Sequence, residues 1–164
     1  MSLLEWCEWL EMSWPALIVR ESPYGFAVLA STHVLSVAFS VGTLIWFDLR
    51  LLGVSLQSQM VSRIYRQLMP WMIAGFVISL VSGAILFMGY ATRSYSNTAF
   101  HIKLITMCLA GGNAIVYHLL TERGIAVWDG TPQPPPSARA AGVISLILWT
   151  TVIIAGRTMA YTLF

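Results

Sequence analysis

The membrane character of this chain is clearest in residues 71–91, which read WMIAGFVISLVSGAILFMGYA. This run contains no Asp, Glu, Lys, Arg or His, and it exceeds the roughly 18 apolar residues that mark a membrane-spanning helix. The whole chain of 164 residues is 57% hydrophobic and only 10% charged, whereas a soluble domain is about a quarter charged. The sequence therefore predicts a polytopic membrane protein that is small enough to be a single domain.

Three further apolar runs accompany this one, so we expect an all-α integral membrane protein built as a four-helix bundle. The expected spans, within a single transmembrane domain 1–164, are 26–52, 68–91, 99–121 and 140–162. Pro70 is expected in the first turn of the second span, where its missing N–H has no partner to lose. Gly75, Ser79 and Gly83 recur every four residues, which predicts close packing against a neighbouring helix.

The segments outside the spans have different compositions. Residues 1–25 mix three tryptophans with five charged residues, which is typical of the headgroup region and predicts one or two short interfacial helices before the bundle. Residues 92–98 are expected to form a loop. Residues 122–139 include the run PQPPP at 132–136, which favours an extended, semi-rigid linker over a further helix. With four spans, both ends of the chain lie on the same side.

Basic residues are unevenly distributed between the two sides. The side opposite the termini carries Arg50, Arg63, Arg66, Arg123 and Arg139. The side of the termini has Arg20 and Arg93, with Lys103 and Arg157 inside the span ends. Because positive residues concentrate on the cytoplasmic side, the termini are expected to be periplasmic or extracellular. The net charge of +2, without a clustered Lys/Arg run, gives no electrostatic footprint for nucleic acid.

Ionisable residues inside the spans are the functional candidates, because burying them in a membrane is expensive. At a rise of about 1.5 Å per residue, His33, His101, Lys103 and Arg157 all fall in the membrane half nearer the termini. Neutral imidazole ligates haem iron, and a basic residue at the same depth can pair with the propionates. We therefore expect haem b to be bound by His33 and a ligand from the third span, with Arg157 beside the propionates.

The second ligand stays open between two residues. At about 100° per residue, Lys103 and His118 share a face of the third helix, whereas His101 lies nearly opposite Lys103. If His118 faces the interior, Lys103 does too and His101 points aside, unless the helix unwinds near its start. Lys103 has an alternative role, with its ammonium reaching the headgroups. His118 lies too far from His33 to share its iron, so it either serves a second haem or hydrogen-bonds across helices.

Motifs along nearly the whole chain support a resemblance to a known group of proteins. They are His33-Val34-Leu35, Asp48-Leu49-Arg50-Leu51-Leu52-Gly53, Leu68-Met69-Pro70-Trp71, Ala99-Phe100-His101-Ile102-Lys103 and Gly156-Arg157. As a set they resemble an uncharacterised family of small bacterial inner-membrane proteins. The resemblance implies a multi-pass protein of the bacterial inner membrane and carries no established activity.

More distantly, the layout is similar to HemJ-type protoporphyrinogen oxidases and to CopD-like copper-resistance membrane proteins. The HemJ group holds haem b with a His early in its first span and a Lys early in a later one. His33 and Lys103 occupy the corresponding places, and Phe100-His101-Ile102-Lys103 resembles the motif around that Lys. The similarity implies a four-helix scaffold that can hold haem, without extending to the oxidase activity.

The sequence is compatible with three functions. The first is a haem b protein that transfers electrons as a membrane oxidoreductase or redox subunit, with a quinone, a redox protein or a second copy of itself as partner. The second is CopD-like copper or ion handling; copper favours Met, His and Cys, but the eight Met form no evident MxxM ladder and suit core packing better. The third is a cofactor-free structural subunit. Membrane lipid is the expected partner in all three.

Overall fold

The computed structural model describes residues 2–121 and 124–163, which form eight α-helices and no strand. The helices are α1 (Leu3–Glu11), α2 (Trp14–Glu21), α3 (Gly25–Leu51), α4 (Val61–Gly89), α5 (Ala91–Tyr95), α6 (Thr98–Val116), α7 (Ile125–Trp128) and α8 (Pro136–Leu163). A π-helical turn, Tyr117–Thr121, continues α6. Four helical segments are long and apolar enough to cross a membrane, namely α3, α4, Thr98–Leu120 and Pro136–Thr162. The predicted all-α fold with four spanning helices is confirmed.

The four long helices pack as two pairs. α3 lies along α4, α6 lies along α8, and contacts between α3 and α8 join the pairs. The predicted small-residue stripe of α4 forms the α3 contact: a Cβ on Gly75 would lie 2.9 Å from Ser40 Cβ and 3.1 Å from the Ser36 carbonyl oxygen. At Gly83 a Cβ would lie 2.9 Å from His33 Cε1. The stripe therefore sets how closely α3 and α4 approach, as predicted.

The two N-terminal helices dock on the end of the bundle where α4 gives way to α5. The Glu11 carboxylate accepts hydrogen bonds from the Thr92 backbone N–H (2.8 Å) and hydroxyl (2.6 Å), which ties α1 to the start of α5. α2 packs on α4, where a Cβ on Gly89 would lie 2.8 Å from Val19 Cγ1. One or two short helices were predicted in residues 1–25; the structure has two, and their tryptophans Trp6, Trp9 and Trp14 are exposed.

Cys7 lies on the buried face of α1, packed with Leu10 and Ala91, so the reactivity of its thiol should report whether α1 is docked. Burial, and then the negative charges of Glu11 and Glu8, raise the pKa of the Cys7 thiol. A raised pKa lowers the thiolate fraction at pH 7, and the thiolate is the reactive form. We therefore expect a water-soluble maleimide to label Cys7 slowly at pH 7 and faster as the pH rises.

The Glu11→Ala variant is expected to label about tenfold faster, because it loses the charge-assisted bonds to Thr92. Glu8→Ala is the matched control, since it also removes a charge near Cys7 but no bond to α5. Both are measured by mass spectrometry in a Cys108→Ala background, because the Cys108 side chain is exposed on α6. Equal acceleration by the two variants would show that charge alone, and not docking, protects the thiol.

The second span begins earlier than predicted. α4 starts at Val61, not at residue 68, so Pro70 lies inside the helix and the prediction of a first-turn proline was wrong. The extra turns form because Val61 and Ile64 are buried in the core at this end of the bundle. The Asp129 carboxylate also accepts hydrogen bonds from the Ser62 backbone N–H (2.7 Å) and hydroxyl, and so caps the helix.

Two predicted connections contain helix. The expected loop 92–98 includes most of α5, whose first turn is held by Glu11. The expected extended linker 122–139 includes α7 and the start of α8 at Pro136; residues 122 and 123 lie outside the described residues. Pro136 suits this place because a proline at the first helical position loses no hydrogen bond and has its φ already fixed.

Candidate functional site

A cavity of about 520 Å³ lies between the long helices at the α5 end of the bundle. Most of its lining is apolar, and the ionisable or hydroxyl-bearing side chains that border it are His33, Tyr90, Ser94, Lys103 and Arg157. A smaller cavity of about 200 Å³ shares His33 and Lys103 with it and extends toward the middle of the bundle. The larger volume lies in the range of about 300–1,000 Å³ that small-molecule and cofactor sites occupy.

His33 projects from α3, roughly 12 Å along the helix from its start at Gly25. Its Nδ1 lies 2.9 Å from the Ser79 carbonyl oxygen and 3.1 Å from Ser82 Oγ. A carbonyl oxygen only accepts, so Nδ1 carries the proton, and in the neutral ring Nε2 has the free lone pair. Because Gly83 has no side chain, the imidazole fits directly against α4. His33 is thus fixed in the tautomer and orientation that a ligand histidine requires.

Lys103 reaches the same cavity from α6, on the side formed with α8. Its side chain packs over Gly156, where a Cβ would lie 3.6 Å from Nζ and 3.7 Å from Cδ and Cε. Within the described part of the chain, its ammonium has no hydrogen bond and no carboxylate partner. It borders both cavities together with His33. An unpaired amine inside a span is costly, which makes Lys103 a candidate functional group.

Arg157 adds a second basic group to this cavity from α8. Its Nη2 donates a hydrogen bond to the Tyr161 hydroxyl at 3.1 Å, and its Cζ lies 4.7 Å from the centroid of the Tyr161 ring. Tyr161 therefore orients the guanidinium. Arg157 lies near the end of the last span, and the described residues that line the cavity include no Asp or Glu. Its guanidinium can therefore face an anion at the membrane boundary.

The other two predicted histidines lie elsewhere. His101 points away from the cavity, with Nε2 donating to the Tyr95 carbonyl oxygen at 2.7 Å. His118 lies in the π-helical turn near the opposite end of the bundle, with its ring centroid 5.4 Å from those of Tyr65 and Tyr117. Neither lines the two cavities. The structure therefore brings together His33, Lys103 and Arg157, and leaves His101 and His118 outside that group.

Several residues of the site were not identified from the sequence. Ser79 and Ser82 hold the His33 ring, and Gly83 makes room for it. The four-residue spacing on α4 indicated helix packing but not which side chain packs there. Ser94 borders the cavity from α5, in a segment predicted to be a loop, and no sequence signal marks it.

A multi-ligand metal centre is not formed by the described residues, in which no group of three or more His, Cys, Asp or Glu side chains comes together. Cys7 and Cys108 are both free, one on α1 and the other on α6.

Together these features define a membrane protein with four spanning helices and an apolar cavity bordered by one imidazole and two basic side chains. By sequence the chain belongs to the DUF6644 family of unknown function, whose model matches residues 6–162. No curated protein and no solved structure matches the chain. The predicted membership of an uncharacterised family is confirmed, whereas the similarity to HemJ-type and CopD-like proteins stays a prediction.

Proposed function

We propose that the protein binds one haem b in the larger cavity and works in electron transfer. The observation that supports this most is the state of His33. Its Nδ1 donates to the Ser79 carbonyl oxygen, so the free lone pair of the neutral ring is on Nε2, and the ring borders an apolar cavity. Metal-ligating histidines characteristically donate their other ring N–H to a carbonyl or carboxylate, which fixes the tautomer.

The rest of the cavity suits the same group. Lys103 supplies a second nitrogen donor from the α6 side, when its amine is neutral, and Arg157 is placed to pair with propionates. Haem iron needs only one or two protein ligands, so no larger cluster of His, Cys, Asp or Glu is required. When bound, the haem supplies one-electron chemistry. The chain supplies the ligands, the charge partners and the apolar walls that exclude water.

The proposal includes a location and a partner. Arg63, Arg66 and Arg139 are exposed at the α7 end, which supports a cytoplasmic position for that end and periplasmic termini in a bacterial inner membrane; Arg123 lies outside the described residues. α4 packs mainly on α3, and α6 packs mainly on α8, so the surface between α4 and α6 is open. Leu80 and Leu104 are exposed there, and both border the smaller cavity. Lipid and a quinone in the bilayer are the proposed partners.

The absorption spectrum of the purified protein tests this function. We expect protein from haem-replete cells, purified in mild detergent, to show the spectrum of haem b, with bands that sharpen on reduction by dithionite. Iron and copper are measured on the same sample, with an expected ratio of about one iron per chain and no stoichiometric copper. A colourless protein that also fails to take up added haem would refute the proposal.

A further inference from the structure

Ser94 carries an unexplained polar group at the edge of the cavity. Its side chain is fully buried, and Oγ has no hydrogen-bond partner among the described residues. Other serines buried among the helices satisfy theirs locally: Ser36 donates to the His33 carbonyl oxygen and Ser82 to that of Ile78. Because buried hydroxyls without a partner are rare in proteins, the Ser94 hydroxyl points to a group that the described part of the chain does not provide.

The position of Ser94 indicates the chemistry of that missing group. α5 contacts α8, and Ser94 and Arg157 border the same cavity from these two helices. Asn97, just after α5, donates to Thr162 Oγ1 at 2.7 Å, which holds this end of α8 against the start of α6. No Asp or Glu among the described residues lines the cavity. A hydroxyl donor and a guanidinium that no carboxylate of the cavity lining neutralises can together bind an anionic oxygen of a ligand.

We propose that the α5 end of the cavity is a carboxylate-binding site, in which Ser94 Oγ and Arg157 hold the acid group of an amphipathic ligand. The apolar body of that ligand fills the rest of the cavity. If the ligand is haem, this proposal rests on the proposed function. The haem propionates would then face the end of the bundle that α1 and α2 cover. A free fatty acid offers the same chemistry, a carboxylate on an apolar body.

Binding titrations with three probes test the site. The apoprotein in detergent is titrated with protohaem, with protohaem dimethyl ester, in which both propionates are esterified, and with palmitate. We expect protohaem to bind more tightly than its ester. Ser94→Ala should weaken protohaem about tenfold and leave the ester unchanged, because it removes a hydrogen bond to a charged group. Arg157→Gln should act in the same direction.

The matched control is Ser96→Ala, on the same end of the bundle. The Ser96 hydroxyl already donates to the Thr92 carbonyl oxygen at 3.3 Å, and Ser96 does not line the cavity, so the affinity for protohaem should stay unchanged. Thermal unfolding of the apoprotein separates a ligand role from a structural one. Since Ser94 Oγ has no partner to lose in the part of the chain that the structure describes, Ser94→Ala should leave the melting temperature unchanged or raise it, whereas loss of a structural hydroxyl would lower it.

The outcomes separate the two proposals. Equal affinity for protohaem and its ester, in wild type and Ser94→Ala alike, would overturn the carboxylate site and leave haem binding intact. Failure of both porphyrins to bind, with palmitate binding that weakens in Ser94→Ala, would support the carboxylate site and overturn the haem proposal. Failure of all three probes to bind would overturn both proposals. A lowered melting temperature of apo Ser94→Ala, without any change in ligand affinity, would overturn the role of Ser94 in binding.

Discussion

Protein carrying His33→Ala is expected to be purified without haem. No other described imidazole borders either cavity, because His101 is bonded to the Tyr95 carbonyl and His118 lies in the π-helical turn. Removing even an outer-shell partner of a ligand costs about 10–100-fold in metal affinity, so loss of the ligand itself should cost more than about a hundredfold. The measurement is a titration of apoprotein with haem, followed by absorbance.

The design needs controls for folding and for position. His101→Ala should retain haem with an unchanged spectrum, and Lys103→Met should retain it with a shifted spectrum, since one donor atom changes and the His33 ligand remains. Circular dichroism of the apoproteins checks that helix content is equal. In a His33→Gly variant, added imidazole should restore haem binding, because the space against Gly83 stays open. Wild-type affinity in His33→Ala would exclude His33 as the ligand.

The spans were predictable because a membrane gives the chain few alternatives. Backbone groups in lipid must be satisfied within the segment, so a long apolar run without charges, such as residues 71–91, forms a helix whatever surrounds it. That His33 and Lys103 lie at the same level of the bundle followed from the same regularity, since a helix rises by a constant amount per residue. These features depend on local sequence, and local sequence was sufficient for them.

The details of the site were not predictable, because they depend on contacts between distant residues. Helix rotation places His101 nearly opposite Lys103, but it does not identify the partner of His101, which is the Tyr95 carbonyl oxygen on α5. The early start of α4 depends on Asp129, which lies 67 positions away from Ser62 in the chain. Neither partner is marked by periodicity or composition.

The Arg50 side chain is expected to contribute strongly to the stability of the protein. This side chain is fully buried at the end of the bundle opposite the cavity. Nε donates to the Gln59 carbonyl oxygen at 2.9 Å, and Nη2 donates to the Thr131 carbonyl oxygen at 3.0 Å. Gln59 lies between α3 and α4, and Thr131 lies between α7 and α8. One side chain therefore joins the two connections at this end.

The Arg50→Met variant is expected to lower the free energy of unfolding by about 3 kcal/mol, because two backbone carbonyls lose a charged donor while both stay in place. Nη1 of Arg50 has no hydrogen-bond partner within residues 2–121 and 124–163, so the wild-type cost of burying the guanidinium is larger, which offsets part of this loss. Arg66→Met is the matched control: Arg66 is exposed on α4 at the same end, so its effect should stay within about 0.5 kcal/mol.

Denaturant unfolding in detergent measures the difference, and hydrogen exchange locates it. Exchange should increase in residues 52–60 and 129–135 of Arg50→Met, which surround the two acceptor carbonyls, and stay unchanged around His33 at the far end of α3. Haem affinity should also be unaltered, because sites that share no partners behave additively. If Arg50→Met proved as stable as Arg66→Met, the two connections would have to be held by their other contacts, such as the Asp129 cap on α4.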